Sequence, residues 1–297
     1  MTPAPLSDRP REGCTAPVTV VMITRNRRRE AQLAVERLLA LPERPAVVVV
    51  DNGSSDGTVG SLARFGERIE VVTLDRNAGA AGRNIGVAAA RTPYVAFVDD
   101  DSAWEPGALA AAVDTFEQHP QVALIAARVL VGERRELDPT CLKMAASPLR
   151  PPVPLPGPAV IGFIACGAIV RRDAFLAVGG FDERYGGGGE EGALAIDLVA
   201  RGWFLTYVPE VVALHWPSPR RDTDVRRRVE VRNQLWLAWS RRRWRAALAT
   251  TARCLRRAPT DRVVRSGIRE AVRDAGGVLR SRRSVDRWLE RELRLLD

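Results

Sequence analysis

YVAFVDDDS, residues 94–102, runs five apolar or aromatic positions into three consecutive carboxylates, Asp99, Asp100 and Asp101. An unbroken apolar run of this length marks a strand buried on both faces, as in sheets covered by helices on either side. Its acidic end poses a separate question, because three like charges at one strand tip cost free energy unless a cation, a hydrogen-bond donor or water compensates each. The tip is therefore expected to bind something. Four other runs share the character of the first half: VTVVMI (18–23), AVVVV (46–50), IEVVT (69–73) and VALIAARVLV (122–131). Helical patterns separate them at 28–41, 57–65, 80–90 and 106–119, the last with Pro106 in its first turn, where the missing N–H does no harm. This alternation predicts an open, mostly parallel α/β sheet flanked by helices, with right-handed crossovers.

The second half is more irregular. SPLRPPVPLPGP (147–158) breaks regular structure, and the whole stretch 133–158 reads as a loop region. A strand near 167–170, a helix at 190–201 and short strands around 206–208 and 211–214 follow, and from 222 onward the chain reads as helices. Three segments are expected: a frayed tail at 1–16, an α/β unit at 17–220 and a helical basic extension at 221–297.

With 297 residues, 46% hydrophobic and 27% charged, the chain has enough apolar content for one large core, which excludes general disorder. No apolar stretch reaches the ~18–20 residues that a bilayer span needs, and the first residues lack the apolar centre of a signal peptide, so a cytoplasmic location is expected. The four cysteines, Cys14, Cys141, Cys166 and Cys254, lie far apart without a C-x-x-C pair, which fits reduced thiols. The net charge of +9 is uneven: residues 220–297 carry 23 Arg against 10 Asp and Glu, a net +13, and the remainder comes to −4.

In open α/β sheets ligands bind beyond the carboxyl ends of the strands, so the residues just after each run are the candidates. Those tips carry Thr24, Arg25 and Asn26; Asp51, Asn52 and Gly53; Asp75, Arg76 and Asn77; and the three aspartates. G-x-G-x-x-G is missing after the first strand, as is a Walker A loop, which argues against a dinucleotide oxidoreductase and a P-loop NTPase. A different nucleotide site fits. One strand-end Asp can accept from a uracil or thymine N–H and another from ribose hydroxyls, roles that Asp51 and Asp99 suit. Asp101 is spaced to share a divalent cation with a diphosphate, since Mg²⁺ and Mn²⁺ take carboxylate and phosphate oxygens. Arg83 and Asn84 open a helix after a glycine-containing loop and point to the same diphosphate.

These residues carry a family likeness. VTVVMITRNR, VVVVDNGSSDGT, NAGAAGRNIG, YVAFVDDD and GGFDERY followed by GEE resemble, in that order, the motifs of the family 2 glycosyltransferases, over about residues 18–233. The resemblance implies the GT-A fold, a nucleoside diphosphate sugar of the UDP or dTDP type as donor, Mn²⁺ or Mg²⁺ as cofactor, and transfer to an acceptor hydroxyl with inversion. It implies that Asp51 binds the nucleobase, that Asp99 and Asp101 form the D-x-D pair, and that His215 completes the metal site. Thr24, Asn26, Asn77, Arg83 and Asp100 join Asp51 and Asp99 as donor-contacting candidates. Many relatives have Glu-Asp-x-Asp where this chain has Glu190, Glu191, Gly192 and Ala193. Glu191 aligns with the usual base but is one methylene longer, and the choice between Glu191 and Glu190 stays open. Arg232 and Asn233 match a pair found after the catalytic region in relatives.

Two rivals share the site: a nucleotide-sugar-binding protein without turnover, and a nucleotidyltransferase, which the single lysine, Lys143, disfavours. The acceptor is open between a glycan, a lipid-linked sugar and a small molecule. In the extension, Leu235, Trp236, Trp239, Trp244, Leu248 and Leu255 alternate with arginines, which fits either packing on the α/β unit, the preferred reading, or peripheral contact with an anionic membrane at its inner face. Specific nucleic-acid binding is not expected. Asp197 and Arg201, four residues apart, are expected to pair on a helix surface.

Overall fold

The first four β-branched runs become β1 Val18–Thr24, β2 Ala46–Asp51, β3 Glu70–Thr73 and β4 Tyr94–Asp99. They pair in the order β3-β2-β1-β4, every pairing parallel. The computed structural model describes residues 16–217 and 223–297. Of the tail expected at 1–16 only Ala16 is among the described residues, and the boundary expected between 220 and 221 lies outside them.

The sheet continues beyond β4 through β5 Ser102–Trp104, β6 Val122–Val131, β7 Glu136–Leu137, β8 Ala168–Arg171 and β9 Phe204–His215, in the order β4-β8-β6-β9-β5, with β7 on β6. Here the direction is mixed. β8 runs antiparallel to both β4 and β6, while β6 and β9 are parallel. Continuous apolarity reports burial on both faces and says nothing of direction, so the reversal at β8 has no sequence signature. The two short strands expected around 206–208 and 211–214 are one, because Pro209 falls in a bulge where the register jumps from Ala127 opposite Val208 to Arg128 opposite Val212.

Helices cover the sheet: α1 Arg28–Leu39, α2 Thr58–Leu62, α3 Gly82–Ala89, α4 Ala108–Gln118, α5 Pro139–Ala145, α6 Arg172–Val178 and α7 Glu190–Ala200. Of these, α5 and α6 were not expected. α5 stands inside the presumed loop 133–158, started by Asp138, whose carboxylate accepts from Thr140 N–H at 2.7 Å, and by a proline in its first turn. The core lies where the helices meet the sheet, around Val20, Val35, Val49, Phe97, Leu109, Ile125, Ile169 and Leu198, all below 1% exposure.

Five helices follow: α8 Thr223–Arg241, α9 Trp244–Arg257, α10 Arg262–Arg273, α11 Ala275–Arg280 and α12 Arg287–Leu295. They build a second apolar cluster in which Leu235, Trp236, Cys254, Ala271 and Val278 pack with Tyr185 and with Ala193 of α7. The Asp197–Arg201 pair is not formed. Asp197 of α7 instead binds Arg241 of α8 through both carboxylate oxygens, at 2.6 and 2.7 Å, a bidentate geometry that a single helix surface cannot offer. Cys141, Cys166 and Cys254 are buried free thiols; Cys14 lies outside the described residues.

Candidate active site

Parallel pairing sets the strand tips level: Ile23 stands opposite Asp99, and Thr24 opposite Asp51. Two adjoining cavities open at these tips. The first, about 650 Å³, is lined by Thr24, Arg27, Asn77, Gly79, the three aspartates, Tyr185 and Arg232, among others. The second, about 800 Å³, is lined by Phe163, Cys166, Gly189, Glu191, His215, Arg226 and Glu230, among others. Arg83, Asp99 and Glu190 line both.

The three adjacent carboxylates are compensated one by one. Arg83, 3% exposed, donates from Nη2 to Asp99 Oδ1, with its guanidinium 5.7 and 6.0 Å from the Phe181 and Phe97 ring centres. Thr24 Oγ1 donates to Asp100 Oδ2 at 2.8 Å, and Arg27 Nη1 lies 3.2 Å from both Asp100 Oδ1 and Asp101 Oδ2. Burial still dominates at Asp100: it pushes the carboxyl up to about 7 against the lowering effect of Arg27 and Thr24. The turn is closed by Ser102, whose hydroxyl accepts from Asp99 N–H at 2.8 Å, and by Trp216 N–H, which donates to the Asp101 carbonyl at 2.7 Å. The sequence did not single out Arg27; its only signal is a place just beyond the first strand.

A cation held by a carboxylate and an imidazole fits one pair here. Asp101 Oδ1 and His215 Nε2 are 3.5 Å apart, and His215 Nε2 makes no hydrogen bond among the described residues. An ion with bonds of ~2 Å would span that gap. Asp99 is not yet part of such a set, being engaged by Arg83, and no three His, Cys, Asp or Glu side chains converge as a ligand group among the described residues.

Asn26 and Asp51 line neither cavity. Asn26 accepts from Ser55 N–H through Oδ1 and donates its own N–H to Ser54 Oγ, both at 2.8 Å, which pins the β1 tip to the loop after β2. Asp51 is fully buried; its Oδ2 accepts from Ser54 N–H at 2.9 Å while Oδ1 makes no hydrogen bond among the described residues, an acceptor still lacking a donor. Asn77 borders the first cavity and accepts from Gly79 N–H at 2.9 Å. Asn84 faces away from that role, exchanging two hydrogen bonds with the Phe181 backbone at 2.8 and 2.9 Å.

The acidic pair is placed by a glycine loop. Gly186, Gly188 and Gly189 all take left-handed φ values, 72°, 86° and 91°, which turn the chain into α7 without a Cβ penalty. That loop touches the one after β3: Ala80 N–H donates to the Gly186 carbonyl at 2.6 Å, and any Cβ on Gly79 would collide with that carbonyl. From behind, Arg232 Nη2 and Asn233 Nδ2 donate to the Tyr185 carbonyl at 2.7 and 3.0 Å, and Asn233 also reaches the Gly188 carbonyl. Glu190, in the first turn of α7, is buried, and its Oε2 makes no hydrogen bond among the described residues. Burial first, and the Glu191 charge second, push its carboxyl up to about 8. Glu191, partly exposed, accepts from Gly189 N–H at 3.2 Å and is raised too, by burial first.

A Rossmann-like tip crevice with an acidic turn, a buried arginine and a helix-borne acid is the arrangement of a GT-A glycosyltransferase domain. Residues 19–179, more than half of the chain, match the family described as glycosyl transferase family 2, and the chain belongs to that family. The pre-mycofactocin glycosyltransferase of Mycobacterium tuberculosis is 33% identical over 208 residues, covering 67% of this chain and 42% of its own length. The chain thus spans about two-fifths of that relative. The N-acetylglucosaminyl-diphospho-decaprenol L-rhamnosyltransferase of the same organism is 26% identical over 285 residues, covering 80% of this chain and 91% of its own. Among solved structures, the mannosyltransferase PcManGT from Pyrobaculum calidifontis, in complex with GDP-Man and Mn²⁺, superposes with a TM-score of 0.59 at 17% identity, over 97% of this chain and 89% of its own. S. aureus TarS 1–349 in complex with UDP-GlcNAc gives 0.55 at 16% identity, over 73% and 66%. At such identities the likeness is one of fold.

Proposed function

We propose that the protein transfers a sugar from a nucleoside diphosphate donor of the UDP or dTDP type to an acceptor hydroxyl, by a single displacement that inverts the anomeric carbon. The observation that carries this reading is that Arg83, Asp99 and Glu190 stand at the junction of two adjoining cavities, the first of which also holds Arg27 and the acidic turn. The donor occupies the first cavity. Asp51 Oδ1 accepts from the nucleobase N–H, Asp99 from the ribose, and Arg83 and Arg27 turn their guanidinium groups to the diphosphate oxygens, with Thr24, Asn77 and Asp100 shaping the floor. Asp101 and His215, with Asp99 if Arg83 releases it, would hold Mn²⁺ or Mg²⁺, and such an ion would supply Lewis-acid stabilisation of the departing diphosphate.

The acceptor enters the second cavity, and its hydroxyl proton passes to Glu190 or Glu191 as the oxygen attacks. Glu190 is favoured because it borders both cavities, and its raised proton affinity suits a base working near neutral pH. A lipid-linked acceptor is in keeping with the rhamnosyltransferase relative, whose name gives a decaprenol-linked one. The proposed location is cytoplasmic; among the described residues no helix is long and apolar enough to cross a membrane.

The test is donor hydrolysis in the presence of Mn²⁺, measured with E190Q, E191Q and both together. Loss of one general base should lower turnover by ~10²–10⁴ while donor binding persists. Donor binding in the parent without any hydrolysis or transfer would leave a binding protein instead.

A further inference from the structure

Helix α9 is built inside out. Its buried face consists of Ala246, Ala247, Thr250 and Cys254, whereas its large apolar side chains, Trp244, Leu248 and Leu255, are 55%, 64% and 53% exposed. Spacings of four and seven residues put these three on one face of the helix. A helix required only to pack on the domain would place the large residues inward and the alanines outward, the opposite of what is seen. The expected packing role therefore holds for Leu235 and Trp236, which are buried, and fails for Trp244, Leu248 and Leu255.

The surroundings of the stripe are cationic. By the helical period Arg245 and Arg256 lie beside it and Arg243 precedes it, all three exposed, and the sequence from 231 to 260 contains no Asp or Glu. The indole of Trp244 is also held in place: the Arg282 guanidinium stacks 3.9 Å from its ring centre, and Arg282 is itself fixed by donating to the Trp239 and Arg242 carbonyls. A tryptophan kept rigid and in solvent, among leucines and arginines, combines the apolar stripe and basic rim of a helix lying in a lipid interface.

We propose that the Trp244, Leu248 and Leu255 face of α9, with its flanking arginines, is the surface by which the protein lies on an anionic lipid bilayer. A second copy of the chain is disfavoured because a two-fold contact would oppose arginine to arginine with no acid in the helix to offset it. Nucleic acid is disfavoured because two exposed leucines give a phosphate backbone nothing to bind. The proposal is independent of the sugar chemistry, since none of these residues lines either cavity.

The experiment is co-sedimentation of the full chain with phosphatidylcholine vesicles, with and without phosphatidylglycerol, at low and high salt. Binding is expected to the anionic vesicles, weakening with salt. The W244S/L248S/L255S variant should bind about tenfold more weakly, and L248S/L255S, which leaves the Trp244–Arg282 stack in place, should bind more weakly than the parent at an unchanged melting temperature. R245Q/R256Q should erase the preference for anionic lipid. No binding by the parent, or binding by these variants equal to the parent's, overturns the proposal. So does a parent dimer in sedimentation velocity that the triple apolar variant converts to monomer, which would give the face to a second copy.

Discussion

Glu190 shows at the scale of one residue how burial and chemistry are linked. The fold binds its proton more tightly than the unfolded chain does, since the carboxyl moves from 4.5 up to about 8 on burial beside Glu191. Its sign follows directly: stability is fully present below the unfolded value and is lost as pH rises towards the folded one, by up to ~1.4 kcal/mol per unit. E190Q removes that cost. The variant is expected to match the parent near pH 4.5 and to exceed it increasingly up to about pH 8, in urea titrations read by circular dichroism. A stability gap that does not change with pH would contradict the buried, protonated state. The same raised value places the acid limb of the parent's activity profile well above the ordinary carboxylate range. At the proposed metal pair, D101N should weaken Mn²⁺ binding in electron paramagnetic resonance titrations, while D75N, outside both cavities, should not. An equal effect of the two would remove Asp101 from the ion's shell.

Among the elements, the 185–190 loop decides whether that acid is in position, and α8 holds it. Asn233 is 1% exposed and spends its amide on the Tyr185 and Gly188 carbonyls. N233A leaves both carbonyls without that donor, at a cost of ~1–3 kcal/mol. Turnover should fall more than donor affinity, because the proposed diphosphate contacts rest on β1, α3 and β4 while the loop supplies one wall of the first cavity. A parallel loss of donor affinity would make Asn233 a general stabiliser only. Residues 232–233 were legible as a motif, yet their task was not, since it depends on a contact 48 positions away that no local pattern encodes. Legibility differed along the chain for the same reason. Strand tips and their acids were readable because an apolar run ending in carboxylates is a local signal. Asn26 is less legible because a left-handed asparagine at a tip serves the turn as readily as a ligand. β5, three residues long, is too short to have a period, and the direction of β8 is fixed only by its neighbours.

Across the molecule, buried charges both tie the basic extension to the α/β unit, through Arg241, and brace it internally, through Arg242. Arg241 and Arg242 are 5% and 8% exposed; one pairs with Asp197, the other with Glu290 and Asp297. Composition revealed the excess of arginine, and only the packing reveals which arginines are internal. Inside the extension α10 crosses closely over α8: a Cβ on Gly267 would lie 2.7 Å from the Arg228 carbonyl and 2.8 Å from Val231 Cβ. That stretch of α8 runs between Val229, which lines both cavities, and Arg232, which holds the 185–190 loop. G267V must push the helices apart, and overpacking of this kind costs ~1–3 kcal/mol. The melting temperature should fall, and hydrogen exchange should quicken across 225–233 and the 185–190 loop while β1, β2 and β4 keep their protection. Exchange confined to α10 would mean that the extension is merely attached. Coupled exchange in α8 and the loop would mean that it buttresses Glu190, the proposed base.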